Sequence, residues 1–326
     1  MSNTTGNNIK PTLVGIIGTG VIGTGWVARL LAKGNPVIAW DPSPGFAERL
    51  ESEIQRLWPT LQKNGVNDNA SPDLLTCAET LEDACKVAEF VQESVPEDLE
   101  IKHEVHRRID AATNKEAIVA SSSSGLLPSD IQKVCKHPDR FLIGHPFNPV
   151  YLLPLVELVP GKSTSHATMA SAEAHYKALN MHPLVLQKEV EGYLSDRLQE
   201  ALWREALHLV NDGVATTRQL DDAIIYGPGL RWAIMGTCLT FHLAGGKGGM
   251  RHMLEQFGPA LKLPWTHLEA PELNDQLIER MVSGTAEQAE GQSIDELEKL
   301  RDDCLIEIMG ALAKFEVGAG KLTSNS

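Results

Sequence analysis

Cysteine is scarce in this sequence, and the pattern of the few cysteines excludes two kinds of site. The chain of 326 residues contains five cysteines, an odd number without a close Cys-x-x-Cys pair. Neither a disulfide framework nor a zinc site is therefore expected, and we predict no metal. A reducing cytoplasm is the compartment that this cysteine usage predicts.

Long apolar runs are also missing from the sequence. No run approaches the roughly 20 residues of a membrane-spanning helix, so we expect no membrane partner. Residues 1–10 are polar and lack the charged-then-apolar order of a signal peptide, and we expect a frayed terminus there. The overall composition, 42% hydrophobic and 22% charged, is typical of a soluble globular protein.

Basic residues are too few to suggest a nucleic-acid partner. The chain has 29 lysines and arginines against 43 acidic residues, which gives a formal net charge of −14. Phosphate backbones are bound by clustered lysine and arginine, so nucleic acid is excluded as an expected ligand. The charge is compatible with a cationic or zwitterionic substrate, although such a charge more often only keeps a protein in solution.

Short apolar runs alternate with helical patterns between residues 12 and 187. This alternation predicts a mostly parallel sheet with helices on both faces. A helix predicted over 23–33 ends at Gly34, and Ser71-Pro72-Asp73 is typical of a capped helix start. The predicted strands are residues 13–17, 37–40, 90–92, 118–120 and 141–144.

The pattern becomes purely helical after about residue 188. We therefore predict an α/β fold, with a doubly wound, mostly parallel sheet over residues 1–188 and an all-α domain over 189–326. Two helix signals in the second part are an apolar periodicity that stops at Gly213 and a cap at Thr217 for a helix through Ile225. A third is a capping box of Ser293 and Glu296. The helix that it starts has an apolar face of Leu297, Leu300, Cys304, Leu305, Ile308 and Leu312.

A glycine-rich turn between the first strand and the first helix predicts a dinucleotide site. Gly18 permits the tight turn, Gly20 lets the backbone approach a pyrophosphate, and Gly23 lets the helix pack against the strand. The first helical turn, with Val21 and Ile22, offers free N–H groups to phosphate charge. This strand–turn–helix context indicates a Rossmann-type NAD-binding domain rather than a structural glycine-rich turn.

Asp41 follows the second predicted strand at the position of a ribose-binding acid. It lies 23 residues after Gly18 (41 − 18), close to the roughly 20 expected. A carboxylate there accepts hydrogen bonds from the adenosine 2′-hydroxyl and repels a 2′-phosphate, so NAD is predicted over NADP. A helix cap or turn residue is compatible with the same position.

A histidine with a nearby carboxylate is the candidate catalytic pair. His145 follows a predicted strand within Gly-His-Pro-Phe-Asn-Pro, and a neutral histidine can accept a hydroxyl proton. Glu157 could fix its tautomer, since the prolines between them can turn the chain back. A hydroxyl of Ser121–Ser124 could bond the reacting oxygen. A lone histidine before proline is more often structural, and a serine run is more often a loop.

These motifs together resemble the 3-hydroxyacyl-CoA dehydrogenase family over nearly the whole chain. The resemblance implies that His145 is the catalytic base, Glu157 its partner and Ser124 the contact to the substrate oxygen. It also implies cofactor contacts by Glu97 and Lys102, and a homodimer formed through the C-terminal domain.

The C-terminal half is similar to the L-carnitine dehydrogenase branch of this family over residues 200–217, 229–232 and 256–261. L-Gulonate 3-dehydrogenase, a relative of lambda-crystallin, is more distant. Two positions depart from the wider family: Asp196 and Ser122 each stand where asparagine is usual. Asp196 could offset a quaternary ammonium, or hydrogen-bond the substrate hydroxyl less directly than asparagine would. Ser122 puts the nicotinamide-side contact in doubt.

The resemblance implies NAD-dependent oxidation of L-carnitine to 3-dehydrocarnitine. The trimethylammonium group of L-carnitine needs aromatic faces, and its carboxylate needs a cation. Arg231 is the leading candidate for that cation, with a surface or interface salt bridge as the rival interpretation. The alternatives are a related dehydrogenase of L-gulonate or a short 3-hydroxyacyl-CoA, and a non-catalytic NAD-binding protein of crystallin type. The aromatic candidates, each of which could instead belong to the core, are Phe147, Tyr193, Trp232 and Phe241.

Overall fold

The computed structural model describes residues 11–233, 235–257, 263, 264, 266, 272 and 274–323. The predicted frayed terminus and most of the 256–261 motif lie outside these residues. The chain divides into two compact units, and the division falls between Tyr193 and Leu194. The sequence places the domain boundary at residue 188, a little earlier along the chain.

The first unit is built on one eight-stranded sheet with the strand order β3-β2-β1-β4-β5-β6-β7-β8. All neighbouring strands are parallel except β6 and β7, which are antiparallel. The predicted α/β fold with a doubly wound, mostly parallel sheet is thus confirmed. The strands are β1 Val14–Ile17, β2 Val37–Trp40, β3 Leu75–Cys77, β4 Phe90–Glu93, β5 Ile118–Ser121, β6 Phe141–Pro146, β7 Leu155–Pro160 and β8 His182–Val185.

Helices cover both faces of this sheet, as the alternating pattern predicts. The first begins at Val21 and is followed by Gly34, whose φ of +73° is the left-handed conformation that ends a helix. Ser71 does cap a helix start, but the helix is a single 3-10 turn, Pro72–Leu74. The α-helices of this unit are α1 Val21–Ala32, α2 Phe46–Asn64, α3 Leu81–Cys85, α4 Leu99–Ala112, α5 Pro128–Ile131 and α6 His166–Ala178.

The described residues of the second unit form helices and no strand, which confirms the predicted all-α half. One cap differs from the prediction: Thr216, not Thr217, starts the helix through Ile225, because its hydroxyl and Gln219 form a complete capping box. The Ser293–Glu296 capping box is present. The helices are α7 Ser195–Asn211, α8 Thr217–Ile225, α9 Gly229–Trp232, α10 Thr237–Ala244, α11 Gly249–Phe257, α12 Asp275–Gln288, α13 Ile294–Ala313 and α14 Gly320–Thr323.

The sheet brings the ends of its parallel strands to one edge. Because β1, β2, β4, β5 and β6 run in the same direction, the loops that follow them meet there. The order changes direction between β1 and β4, which is the position where open α/β sheets bind ligands. Among the described helices, none is both long and apolar enough to cross a membrane. The predicted site residues at this edge are Gly18, Asp41, Glu97, Ser124 and His145.

Candidate active site

His145 and Glu157 face each other across the one antiparallel strand pair of the sheet. The two residues are direct partners in the β6–β7 register, so their side chains share a face of the sheet. His145 Nδ1 lies 3.0 Å from Glu157 Oε2, and the two residues are only 4% and 0% exposed. A carboxylate only accepts hydrogen bonds, so Nδ1 carries the proton and Nε2 holds the lone pair of the neutral ring. The predicted contact is therefore present.

A buried arginine fixes the segment that follows His145. The Arg29 guanidinium donates to the carbonyl oxygens of Val150 at 2.6 Å and of Leu153 at 3.0 Å. A third bond reaches the carbonyl of Leu179 at 3.2 Å. Burial lowers the pKa of Arg29 to about 10, a value at which the group still carries its charge at neutral pH. Helix α1 thus holds the loop between β6 and β7, which the sequence did not reveal.

The glycine-rich turn has the geometry that a dinucleotide needs. Gly18 has a φ of +92°, and a Cβ on Gly23 would lie 1.9 Å from the Gly18 carbonyl oxygen, so side chains are excluded at both positions. A Cβ on Gly20 would meet nothing within 4 Å, so the backbone there is open to a ligand. No side chain caps α1, and its first turn, with the exposed Val21, presents backbone N–H groups. These residues fit the pyrophosphate of NAD.

Asp41 is ionised and lies beside this turn. Its carboxylate accepts hydrogen bonds from Thr19 N at 2.8 Å and from Ser43 N at 2.9 Å. Burial acts to raise the pKa of Asp41, but the hydrogen bonds from Ser43 and Thr19 outweigh it and hold the pKa below its usual value. Asp41 can therefore stabilise the turn after β2 and also offer a charged oxygen acceptor to a ribose hydroxyl, so the two roles predicted for it are compatible.

Glu97 holds the serine loop that follows β5. Its Oε1 atom accepts hydrogen bonds from the backbone N–H groups of Ser124 and Gly125, both at 3.0 Å, and from the Ser123 hydroxyl at 2.5 Å. The Ser124 side chain is exposed. Lys102 Nζ lies 3.5 Å from the other Glu97 oxygen, although the lysine is only 1% exposed. Glu97 and Lys102 thus shape the loop that carries Ser124.

A fully buried carboxylate that no motif singles out lies beneath Lys102. Glu93 ends β4 and accepts hydrogen bonds from Lys102 Nζ at 2.9 Å, His106 Nε2 at 2.9 Å and Ser121 Oγ at 2.6 Å. Burial opposes its ionisation, but the charge of Lys102 and the bonds from His106 and Ser121 outweigh burial and lower the pKa of Glu93 to about 2. An acid directly after the predicted strand 90–92 was the available sequence signal for this residue.

The predicted substrate residues fall in both units. Tyr193 is fully buried, its hydroxyl donates to the Leu126 carbonyl at 2.7 Å, and its ring centroid lies 5.5 Å from that of His145. The Phe147 ring lies 5.7 Å from His145 in an edge-on arrangement. In the second unit Asp196 lies in the first turn of α7, Arg231 and Trp232 lie in α9, and Phe241 lies in α10, each with an exposed or partly exposed side chain.

Comparisons with known proteins agree on one family. The family model for the NAD-binding domain of 3-hydroxyacyl-CoA dehydrogenase matches residues 13–190, and the model for its C-terminal domain matches residues 192–292. An L-carnitine dehydrogenase of Pseudomonas putida is 54% identical over 93% of this chain and 95% of its own. One from Bacillus cereus is 52% identical over 99% of both chains. The solved structure of an FHMPC 5-dehydrogenase, an NAD+-dependent dismutase, is 25% identical with a TM-score of 0.77, over 93% of this chain and 98% of its own.

Proposed function

The chain belongs to the 3-hydroxyacyl-CoA dehydrogenase family, and from that premise we propose that it oxidises L-carnitine to 3-dehydrocarnitine with NAD. The observation that carries this proposal is the buried His145–Glu157 pair, because it supplies a base at the strand edge where the dinucleotide turn also lies. The substrate follows from the named relatives, which are more than half identical over almost their full length. NAD supplies the hydride acceptor when it is bound.

The residues of the first unit divide the chemistry between them. The hydroxyl proton of the substrate passes to Nε2 of His145, and the carbinol hydrogen leaves as hydride. Glu157 keeps the tautomer with Nδ1 protonated and stabilises the imidazolium that forms. Ser124 donates to the reacting oxygen from a loop that Glu97 holds in place.

The zwitterionic substrate asks for two further contacts. A trimethylammonium group has no N–H to donate, so aromatic faces recognise it, and we propose Phe147, Trp232 and Phe241 for that purpose. Tyr193 is fully buried in the core of the first unit, so its ring is not open to a ligand. Arg231 is proposed to bind the substrate carboxylate, and Asp196 to offset the cationic end. L-Gulonate and a short 3-hydroxyacyl-CoA are the rival substrates, while a protein that binds NAD without turnover is the rival of another class.

We further propose a homodimer that forms through the second unit. Helix α13 exposes Leu300, Cys304 and Ile308 at the helical spacing of a single stripe, and 52% of Leu300 and 45% of Ile308 are accessible. Such a stripe is stabilised when a partner covers it. Sedimentation velocity tests the dimer, and a monomer at micromolar concentration would contradict it.

All five cysteines are free thiols, which supports a reducing compartment such as the cytoplasm.

The first experiment measures NADH formation by the purified protein with NAD and L-carnitine. D-Carnitine, L-gulonate and 3-hydroxybutyryl-CoA are assayed in parallel as matched alternatives. We expect turnover with L-carnitine alone. Turnover confined to another alcohol would keep the dehydrogenase chemistry but refute the carnitine substrate, and NADH binding without turnover of any of the four would favour the non-catalytic rival.

A further inference from the structure

A second hydrogen-bonded network, separate from the histidine pair, lies beneath the dinucleotide turn. It is centred on Ser122, whose hydroxyl oxygen has three neighbours: Trp26 Nε1 at 3.0 Å, Gln92 Nε2 at 2.8 Å and Ser94 Oγ at 2.9 Å. Tyr176 joins the network through a 2.6 Å bond from its hydroxyl to Gln92 Oε1. We call Trp26, Gln92, Ser94, Ser122 and Tyr176 the Ser122 cluster.

The orientation of the Gln92 amide is fixed by the backbone. Its Nε2 atom lies 3.3 Å from the Gly144 carbonyl oxygen, which can only accept a hydrogen bond. A reversed amide would place its own oxygen against that carbonyl. Nε2 therefore faces Gly144 and Ser122 as a donor, and Oε1 accepts from Tyr176.

The proton of the Ser122 hydroxyl then has a single destination. A serine hydroxyl has one proton and two acceptor lone pairs. The indole N–H of Trp26 and the amide N–H of Gln92 are donors only, so together they use both lone pairs of Ser122. The third neighbour, Ser94 Oγ, must accept the Ser122 proton.

The same count leaves Ser94 with one proton to donate. Its oxygen accepts from Ser122, and the described residues offer its proton no acceptor. Ser94 directly follows β4 at the edge where the strand order reverses, and its N–H donates to the carbonyl of Ile17 at 2.7 Å. A Cβ on Gly18 would lie 2.7 Å from the Ser94 carbonyl oxygen, and one on Gly23 would lie 3.5 Å from Ser94 Cβ. Ser94 is thus packed against the glycine-rich turn.

We propose that Ser94 is a cofactor-binding residue whose hydroxyl donates a hydrogen bond to an oxygen of the dinucleotide bound at this turn. The Ser122 cluster acts as a relay of fixed direction, in which Tyr176, Gln92 and Ser122 each donate toward the next residue and leave Ser94 as the terminal donor. This inference rests on the assignment of the turn to NAD, and it adds a contact that neither the glycine motif nor Asp41 supplies.

The test is the dissociation constant of NADH, measured by isothermal titration calorimetry on the full-length protein. Ser94→Ala removes the terminal donor and should weaken NADH binding by about three- to tenfold, the range that one net hydrogen bond gives. Ser171→Ala, at an exposed position of α6, is the matched control and should bind NADH as the wild type does. Melting temperatures of both variants should stay near that of the wild type.

Ser122→Ala separates the relay from a general loosening of the fold. It should lower the melting temperature, because the buried Trp26 and Gln92 lose their acceptor. Since Ser122 acts on the cofactor only through Ser94, the double variant Ser94→Ala/Ser122→Ala should bind NADH about as weakly as Ser94→Ala alone. Losses that multiply in the double variant would overturn the relay.

Unchanged NADH affinity in Ser94→Ala would overturn the contact itself. If the wild-type protein failed to bind NADH at all, the cofactor assignment of the turn would fall with it. Failure of carnitine turnover, with NADH binding and the Ser94 effect intact, would contradict only the proposed substrate.

Discussion

Replacing Glu157 by glutamine separates the charge of this residue from its shape. The amide keeps the size of the side chain and an oxygen that can accept from His145 Nδ1. It removes the negative charge that stabilises the imidazolium once His145 has taken the substrate proton. The variant should therefore fold and bind NADH normally while the hydride-transfer step slows.

The size of the effect follows from the 3.0 Å contact between Nδ1 and Oε2. At an effective dielectric constant of about 20, a unit charge at that distance from the carboxylate is stabilised by about 5 kcal/mol. If half of the charge has formed in the transition state, the loss is roughly half of that value. Glu157→Gln should then lower kcat by about 10², at about 1.4 kcal/mol for each factor of ten.

The assay is kcat at saturating L-carnitine and NAD, combined with calorimetric binding of NADH. Glu173→Gln makes the same carboxylate-to-amide change in an exposed pair with Lys177 on α6, and it should leave kcat unchanged. His145→Ala, which removes the base itself, should lose at least about 100-fold in turnover and keep its NADH affinity. A Glu157→Gln enzyme with kcat within about threefold of the wild type would refute the electrostatic argument.

Three further perturbations test other parts of the first unit. Asp41→Ala should raise the KM for NAD about tenfold and narrow the preference over NADP, as measured by initial rates with each cofactor; an unchanged preference would limit Asp41 to its turn role. The pKa of Glu93 is about 2 instead of 4.5, because the effect of burial is outweighed by the charge of Lys102 and the bond from His106. The free energy of unfolding in urea should therefore decrease as the pH falls from 4.5 to 2. It should decrease less in Glu93→Gln, and an equal decrease would contradict this account. Burial lowers the pKa of His175 from 6.5 to about 4, so the unfolded chain binds the proton at a higher pH than the folded protein does. The melting temperature should therefore drop as the pH falls from 6.5 to 4. The melting temperature of His175→Gln should drop less over this range, and an equal drop would point to other groups.

The strands that the sequence revealed are those formed by buried apolar runs. Val14–Ile17 is apolar and buried along its whole length, as a parallel sheet covered on both faces requires. The three missed strands break that pattern. Leu75–Cys77 is only three residues long, Leu155–Pro160 carries a glutamate in its centre, and the edge strand His182–Val185 contains a proline.

The glycine turn was predictable because its function depends on the backbone. Gly18 and Gly23 occupy positions where a Cβ would clash, so the residue type itself reports the geometry. Glu93 is different, since its role comes from Lys102, His106 and Ser121 on two other elements. Nothing in the spacing of those residues indicates that three donors meet on one carboxylate.

The same contrast separates the catalytic pair from the Ser122 cluster. His145 and Glu157 are 12 residues apart, and the short connection leaves a hairpin as the simplest geometry, because a parallel return needs a longer crossover. The register of this hairpin pairs His145 directly with Glu157. Glu157 lies in the interior of its strand, where it is fully buried. The bonds of the Ser122 cluster instead span 96, 84, 30 and 28 residues, so their partners meet only after the whole sheet and its helices have packed. A contact that one hairpin creates can be inferred from the sequence, whereas a contact that four separate segments create has to be observed.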